Sequence, residues 1–241
     1  TLFRSLEAEN HSVSQLDLRE MKLRYCIGCW GCWAKTPGQC STPDASHEMD
    51  RAMINADFVL WAAPLKMGFP SELLKRSNDK IIPLIHPYMV VDHGEAHHLR
   101  RYPKYPRVGL LLEKENSTDE RDLAIVRDIY CRTALNFKTR LEFSLTTETP
   151  LEDVLQRIKR PLGVLPLPGR LTATQGVTIE PPARLTLFNG SPRGPKGNTP
   201  IFLRELAAGF GGPSETHHLV RMKQTPEMLQ AFAAAECIIL G

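Results

Sequence analysis

Residues 185–199, Leu-Thr-Leu-Phe-Asn-Gly-Ser-Pro-Arg-Gly-Pro-Lys-Gly-Asn-Thr, constrain the fold more than any other stretch of this 241-residue chain. An apolar run of strand formers ends at Asn189-Gly190. A loop of small, hydroxyl and basic residues follows, from Ser191 to Thr199, and Ile201-Phe-Leu-Arg-Glu-Leu-Ala-Ala208 has the spacing of an amphipathic helix. Strand, loop and helix in that order is how α/β proteins hold a phosphate, because backbone N–H groups and the helix N-terminus favour an anion. Ser191, Asn198 and Thr199 supply hydrogen-bond donors, Arg193 a charge-assisted one, and Gly194 a backbone that a ligand can approach closely. The loop is neither a Walker A motif nor the dinucleotide G-x-G-x-x-G.

The remaining segments alternate in the α/β manner. Strands are expected at Ser12–Leu18, Asp57–Ala63, Val108–Leu112 and Leu141–Leu145, and helices at His47–Asn55, Ser71–Ile82, Asp119–Asn136 and Pro150–Ile158. The stretch 159–183 is rich in Pro and Gly and reads as a linker. An internal repeat is also present. Leu2-Phe-Arg-Ser-Leu6 matches Phe202-Leu-Arg-Glu-Leu206, and Asn55-Ala-Asp-Phe-Val-Leu60 matches Ala234-Ala-Glu-Cys-Ile-Ile239. The interval between the two matches is longer in the first copy by about the length of a cysteine-rich segment. The reading is a tandem pair: residues 1–158 as a domain lacking its first strand and phosphate loop, and 184–241 as the start of a second, incomplete copy. Circular permutation, with 184–206 completing the first copy, is the rival. The chain opens at Thr1 and closes on the apolar Cys237-Ile-Ile-Leu-Gly241, so both ends read as cut from something longer.

The cysteine segment is Cys26-Ile-Gly-Cys29-Trp-Gly-Cys32-Trp-Ala-Lys-Thr-Pro-Gly-Gln-Cys40. Four thiolates spaced C-x2-C-x2-C-x7-C can wrap one metal centre, Gly28 and Gly31 let the backbone turn about it, and soft sulfur favours an iron–sulfur cluster or zinc. Free or redox-active thiols packed by Trp30 and Trp33 are the alternative. Six cysteines with four in one short stretch indicate ligation or redox work in a reducing compartment, hence a cytoplasmic protein, and not a disulfide scaffold. Cys131 and Cys237 read as core residues.

The Gly190-Ser-Pro-Arg193 turn continuing to Asn198-Thr199 resembles the FMN-phosphate loop of the flavodoxin-like NAD(P)H-dependent FMN reductase family. The cysteine segment resembles the compact motif of its iron–sulfur flavoprotein branch, which holds a [4Fe-4S] cluster beside FMN. The resemblance implies a doubly wound parallel sheet of order 2-1-3-4-5 with helices on both faces. It implies FMN as cofactor, NAD(P)H as co-substrate, a homo-oligomer, and electrons passing to a small acceptor such as a quinone, to a redox protein or to a cluster at Cys26, Cys29, Cys32 and Cys40. The family loop that edges the isoalloxazine ring corresponds to Pro64, Leu65, Lys66, Met67 and Gly68. Here Leu65-Lys66 replaces the usual aromatic, and Phe69 stands farther along. Lys66 could place positive charge near a reduced flavin, or be a solvated loop lysine.

His86, His93, His97 and His98 with Asp92 and Glu95 are a weaker candidate for a metal site, and a polar loop is the plainer reading. Arg100, Arg101, Lys104 and Arg107 could meet a nucleotide phosphate or form a solvated basic face. A formal net charge of +3 gives no case for nucleic acid or membrane partners, and no apolar run has the length of a membrane span. An electron carrier without a dedicated substrate, and a non-catalytic zinc-binding module, are the alternative functions.

Overall fold

The long apolar runs become parallel strands, as burial on both sheet faces demands. The computed structural model describes residues 2–92, 94–169, 180–191, 193–221 and 226–240. It divides into two units, 1–170 and 171–241.

The first unit runs α1 (Leu2–Ala8), α2 (Gly31–Ala34), α3 (Ser46–Asn55), β1 (Phe58–Lys66), β2 (Phe69–Pro70), α4 (Glu72–Lys80), β3 (Ile85–Asp92), β4 (Glu95–Arg100), β5 (Arg107–Glu113), α5 (Glu120–Asn136), β6 (Leu141–Thr146) and α6 (Leu151–Lys159). Its main sheet has the order β2-β1-β5-β6. Strand β1 pairs in parallel with β5 from Phe58↔Arg107 to Pro64↔Glu113, and β5 pairs in parallel with β6. Val108, Leu110 and Leu112 of β5 are fully buried, as a central parallel strand should be. The register of β5 on β6 shifts between Val108 and Gly109, where a Cβ on Gly109 would meet the Phe143 ring at 2.4 Å. The missing side chain makes room for that ring.

Local chemistry sets the helix starts. Asp119 caps α5 through the N–H groups of Arg121 and Asp122, and Asp122 returns a bond to the Asp119 N–H, completing a capping box. Ser71 accepts from the Leu74 N–H at the start of α4. The apolar sides of α3, α4 and α5 close on the sheet through Met49, Met53, Leu74, Val126, Tyr130 and Ala134, and Trp61 meets Tyr130 edge to face at 5.5 Å.

The second unit contains β7 (Leu185–Asn189), α7 (Thr199–Phe210), β8 (Ser214–His218), α8 (Pro226–Ala233) and β9 (Ile238–Leu240). Its sheet is wholly parallel, in the order β8-β7-β9. All five residues of the central β7 are buried. Leu185 and Leu187 pack with Leu203 of α7, and Phe188 stacks on Phe232 of α8 at 3.8 Å.

The molecule is therefore α/β with parallel strands, compatible with a flavodoxin-like fold. Several expectations differ in detail. The order 2-1-3-4-5 does not occur as one sheet among the described residues; three parallel strands run in each unit instead. Ser12–Leu18 forms no strand, and Leu16 and Leu18 simply lie against the core. Among the described residues its alternating pattern pairs with no strand, and the N-terminal part of β1 pairs only with β5. The supposed linker stays with the first unit beyond 159: the Leu165 N–H donates to the Leu141 carbonyl at 2.8 Å, and Leu165 and Leu167 pack on the core. Its segment 170–179 lies outside the described residues. The polar 85–100 stretch, expected as a loop, is the antiparallel hairpin β3–β4. Among the described residues no helix is long and apolar enough to cross a membrane.

Candidate functional site

The first part of the cysteine segment, Cys26–Cys32, is folded by two left-handed residues and one close approach. Gly28 has φ +62° and Trp30 φ +56°, which reverses the chain between Cys26 and Cys32. A Cβ on Gly31 would stand 2.4 Å from the Ser41 hydroxyl oxygen, so only glycine lets the arm carrying Cys40 and Ser41 come this near. Trp33 pins the segment to the hairpin side: its Nε1 donates to the carbonyls of Ile85 (3.0 Å) and Ile82 (3.3 Å), and its ring lies between Trp30 and His98, each 4.8 Å away. Cys26 and Cys29 are exposed, Cys32 and Cys40 half-buried, and all four are free thiols lining one concavity with Trp30, Ser41, Thr42, Lys80 and Ile82.

This gathering stops short of the closed four-sulfur site that the spacing predicts. Among the described residues, no three His, Cys, Asp or Glu side chains form a group that could hold a metal ion. The donor set fits an iron–sulfur centre in kind, since four thiols line one concavity. The thiols already sense one another. Burial raises the Cys32 pKa, and negative charge at Cys40, Cys26 and Cys29 raises it further. Cys29 is lowered by its contact with the Ser41 hydroxyl at 3.5 Å and by the Gly31 N–H.

Beneath the concavity lies a buried charge cluster that the sequence did not advertise. Lys80, at the end of α4, places Nζ 3.0 Å from Cys40 Sγ and 2.9 Å from Asp44 Oδ2; the Lys80 and Asp44 side chains are each 1% exposed. Burial alone would raise the Cys40 thiol, but the bonds from Lys80 and the Thr42 N–H outweigh it and lower the pKa. Burial would likewise raise Asp44, yet Ser46, the Arg24 N–H and Lys80 hold it at about 2. Asp50 of α3 has both carboxyl oxygens buried without a hydrogen-bond partner. Its pKa is pushed up to about 8, first by burial and then by the charges of Cys40 and Asp44, with Lys80 opposing.

The phosphate-loop residues lie in the second unit. Asn189, wholly buried at the end of β7, accepts from the Ser191 N–H (3.0 Å) and donates to the Gly194 carbonyl (3.0 Å). Ser191 Oγ accepts from the Arg193 N–H at 3.3 Å. Gly194 sits at φ +55°, and a Cβ on Gly197 would stand 2.5 Å from Ser191 Oγ. The loop thus curls over the strand end into α7, whose first turn has no side-chain cap from Asn198. Arg193 and Asn198 are exposed and Thr199 half-buried. Uncapped N–H groups, a hydroxyl and a guanidinium at one helix start suit a phosphate.

The ring-loop residues lie in the first unit. Pro64, Leu65 and Lys66 are not loop but the last three residues of β1, because β2 folds back on them with Leu65↔Pro70 and Lys66↔Phe69. Met67 and Gly68 form the turn, both with positive φ. Glu115 fastens it, accepting from the Met67 N–H at 2.7 Å and pairing with Lys66 at 3.2 Å. The Leu65 side chain is in the core, while Met67 is 94% exposed. The two halves of the expected flavin site therefore belong to different units.

Among the described residues the histidines do not assemble a ligand set. His97 Nδ1 lies 2.7 Å from Asn136 Oδ1 and Nε2 3.3 Å from Glu95, His98 meets Trp33 with its ring tilted by 52°, and His86 lies by Tyr88. His93 lies outside the described residues. The basic residues serve the framework: Arg101 donates to the Ile85 carbonyl, Lys104 pairs with Asp57, Arg107 binds Glu142 through both nitrogens at 2.7 Å, and Arg100 donates to the Lys138 carbonyl. Cys131 is buried in α5, and burial raises its thiol.

No protein-family model matches the chain. A curated protein described as an iron-sulfur flavoprotein, from Archaeoglobus fulgidus, is 29% identical over 83 residues. The match covers 34% of this chain and 37% of that protein, so the chain matches little more than a third of its relative.

Proposed function

We propose that this chain belongs to an FMN-dependent oxidoreductase that takes electrons from NAD(P)H and passes them to a small acceptor such as a quinone, or through a cluster at Cys26, Cys29, Cys32 and Cys40. The observation that carries the reading is the β7–loop–α7 unit. Its Gly197 lets the Ser191 hydroxyl lie where a side chain would stand, and its helix start offers N–H groups to an anion. The partial likeness to an iron-sulfur flavoprotein supports the same conclusion. Ser191, Arg193, Gly194, Asn198 and Thr199 would hold the phosphate. Pro64 to Gly68, in the first unit, would border the ring in the flavin site of the other copy, Leu65 through its backbone only, and Lys66 would contribute positive charge there. Bound FMN supplies hydride acceptance and onward electron release; the protein binds and orients it. In this reading the chain is a piece of a tandem flavodoxin-like protein: β8-β7-β9 corresponds to strands 2-1-3 of one copy, and β1-β5-β6 to strands 3-4-5 of another. Homo-oligomeric assembly and a cytoplasmic setting belong to the same proposal.

A second reading rests on the sulfurs, no three of which converge. It is a flavin-only reductase or carrier whose cysteines stay thiols. An anaerobic visible spectrum of the full-length protein, with FMN and iron quantified, tests both. Flavin bands with about four irons per chain support the iron–sulfur flavoprotein. Flavin without iron supports the second reading, and folded protein that binds neither refutes both.

A further inference from the structure

Lys80 is an unusual lysine. It is 2% exposed, and lysine is almost never buried unless paired. Its two recorded partners are a carboxylate and a sulfur, Asp44 Oδ2 at 2.9 Å and Cys40 Sγ at 3.0 Å. Asp44 is saturated from other directions by the Arg24 N–H (2.9 Å), the Ser46 N–H (2.9 Å) and the Ser46 hydroxyl (2.6 Å). It is a fixed post against which the ammonium rests. The C-terminal end of α4 adds favourable partial negative charge where Lys80 emerges. A buried ion pair of this kind can usually be replaced by apolar residues at no loss of stability. The sulfur contact gives this one a use that packing does not.

We infer that Lys80 is the positioning residue of the four-cysteine concavity: it holds Cys40 Sγ in place and, by its fixed positive charge, raises the reduction potential of a centre bound there. The inference rests on the iron–sulfur reading above. An N–H donor on a ligand sulfur withdraws electron density from it, and a nearby cation favours the more negative, reduced state. Reduction of a centre held there would take one electron from the added reductant and break no covalent bond, and Lys80 would stay protonated throughout. Asp44 acts with the opposite sign, so removing its charge alone raises the potential.

The test compares wild type with Lys80→Met, Lys80→Arg and Asp44→Asn, reconstituted anaerobically with iron and sulfide and titrated with a one-electron reductant. A lower midpoint potential in Lys80→Met, recovery in Lys80→Arg and a higher potential in Asp44→Asn support the inference. A role in packing alone produces no such sign pattern, and an unchanged potential in Lys80→Met overturns the inference. If Lys80→Met does not fold or load, Asp44→Asn decides: a raised potential supports, an unchanged or lowered one refutes. Wild type that binds no iron refutes the iron–sulfur reading separately. The positioning of Cys40 is then read in metal-free protein from its alkylation by iodoacetamide at neutral pH. Slowing by about tenfold in Lys80→Met, the effect of losing a charge-assisted bond to a thiolate, supports it. An unchanged rate refutes it.

Discussion

Asp50→Asn should stabilise the first unit by an amount that grows with pH. The wild-type carboxyl is 3% exposed, and neither oxygen has a hydrogen-bond partner. Its pKa stands near 8 in the folded chain, against 3.8 when unperturbed. Between those values the folded state holds a proton that the unfolded state has released. Stability from this group is thus intact below pH 4 and falls as pH rises toward 8. Each pH unit in that window costs about 1.4 kcal/mol. At pH 7 the accumulated loss is about 4 kcal/mol, of which about 3 kcal/mol arises between pH 5 and pH 7. Asparagine keeps the shape and does not titrate, so its advantage over wild type should widen by that amount across those two units. Urea unfolding under reductant, followed by tryptophan emission, reads this directly, because Trp30, Trp33 and Trp61 all lie in the first unit. An advantage of equal size at pH 5 and pH 7 would show that Asp50 ionises normally and would refute the argument.

Gly109→Ala should destabilise the first unit by about 1–3 kcal/mol in the same assay, through overlap with the Phe143 ring, and the loss should shrink in a Phe143→Leu background. Met67→Gly should raise stability by about 0.5–1 kcal/mol, since Met67 is almost wholly exposed and occupies a left-handed position in a two-residue turn. Gly197→Ala should weaken FMN binding about tenfold by equilibrium titration, as its Cβ displaces Ser191 Oγ, while circular dichroism stays unchanged.

The sequence was most legible where a segment's structure depends on its own pattern. The largely apolar runs of β1, β5 and β7 announce buried parallel strands, and the pattern of Asp119–Asn136 announces a helix. It was least legible where structure depends on a distant partner. Ser12–Leu18 alternates like a strand but pairs with no strand among the described residues, whereas Pro64–Lys66 reads as loop and becomes strand because Phe69 and Pro70 fold back to pair with it. The β3–β4 hairpin hides behind histidines and arginines that pattern reading assigns to solvent, although His97 is buried against Asn136. At the candidate site, cysteine spacing located the concavity but not its floor. Lys80 and Asp50 look like ordinary members of polar helix faces, and only the folded chain brings them to Cys40, 40 and 10 positions away.

The central position of β7 has a consequence for synthesis. Both of its neighbours, β8 and β9, come later in the chain, and the second of them begins 49 residues after β7 ends. At about 5–20 residues per second, β9 emerges from the ribosome some 2–10 seconds after β7 is complete. For that interval Leu185, Leu187 and Phe188 lack one flank of their sheet, so slower translation through 190–238 prolongs the time in which this strand can pair with the wrong chain.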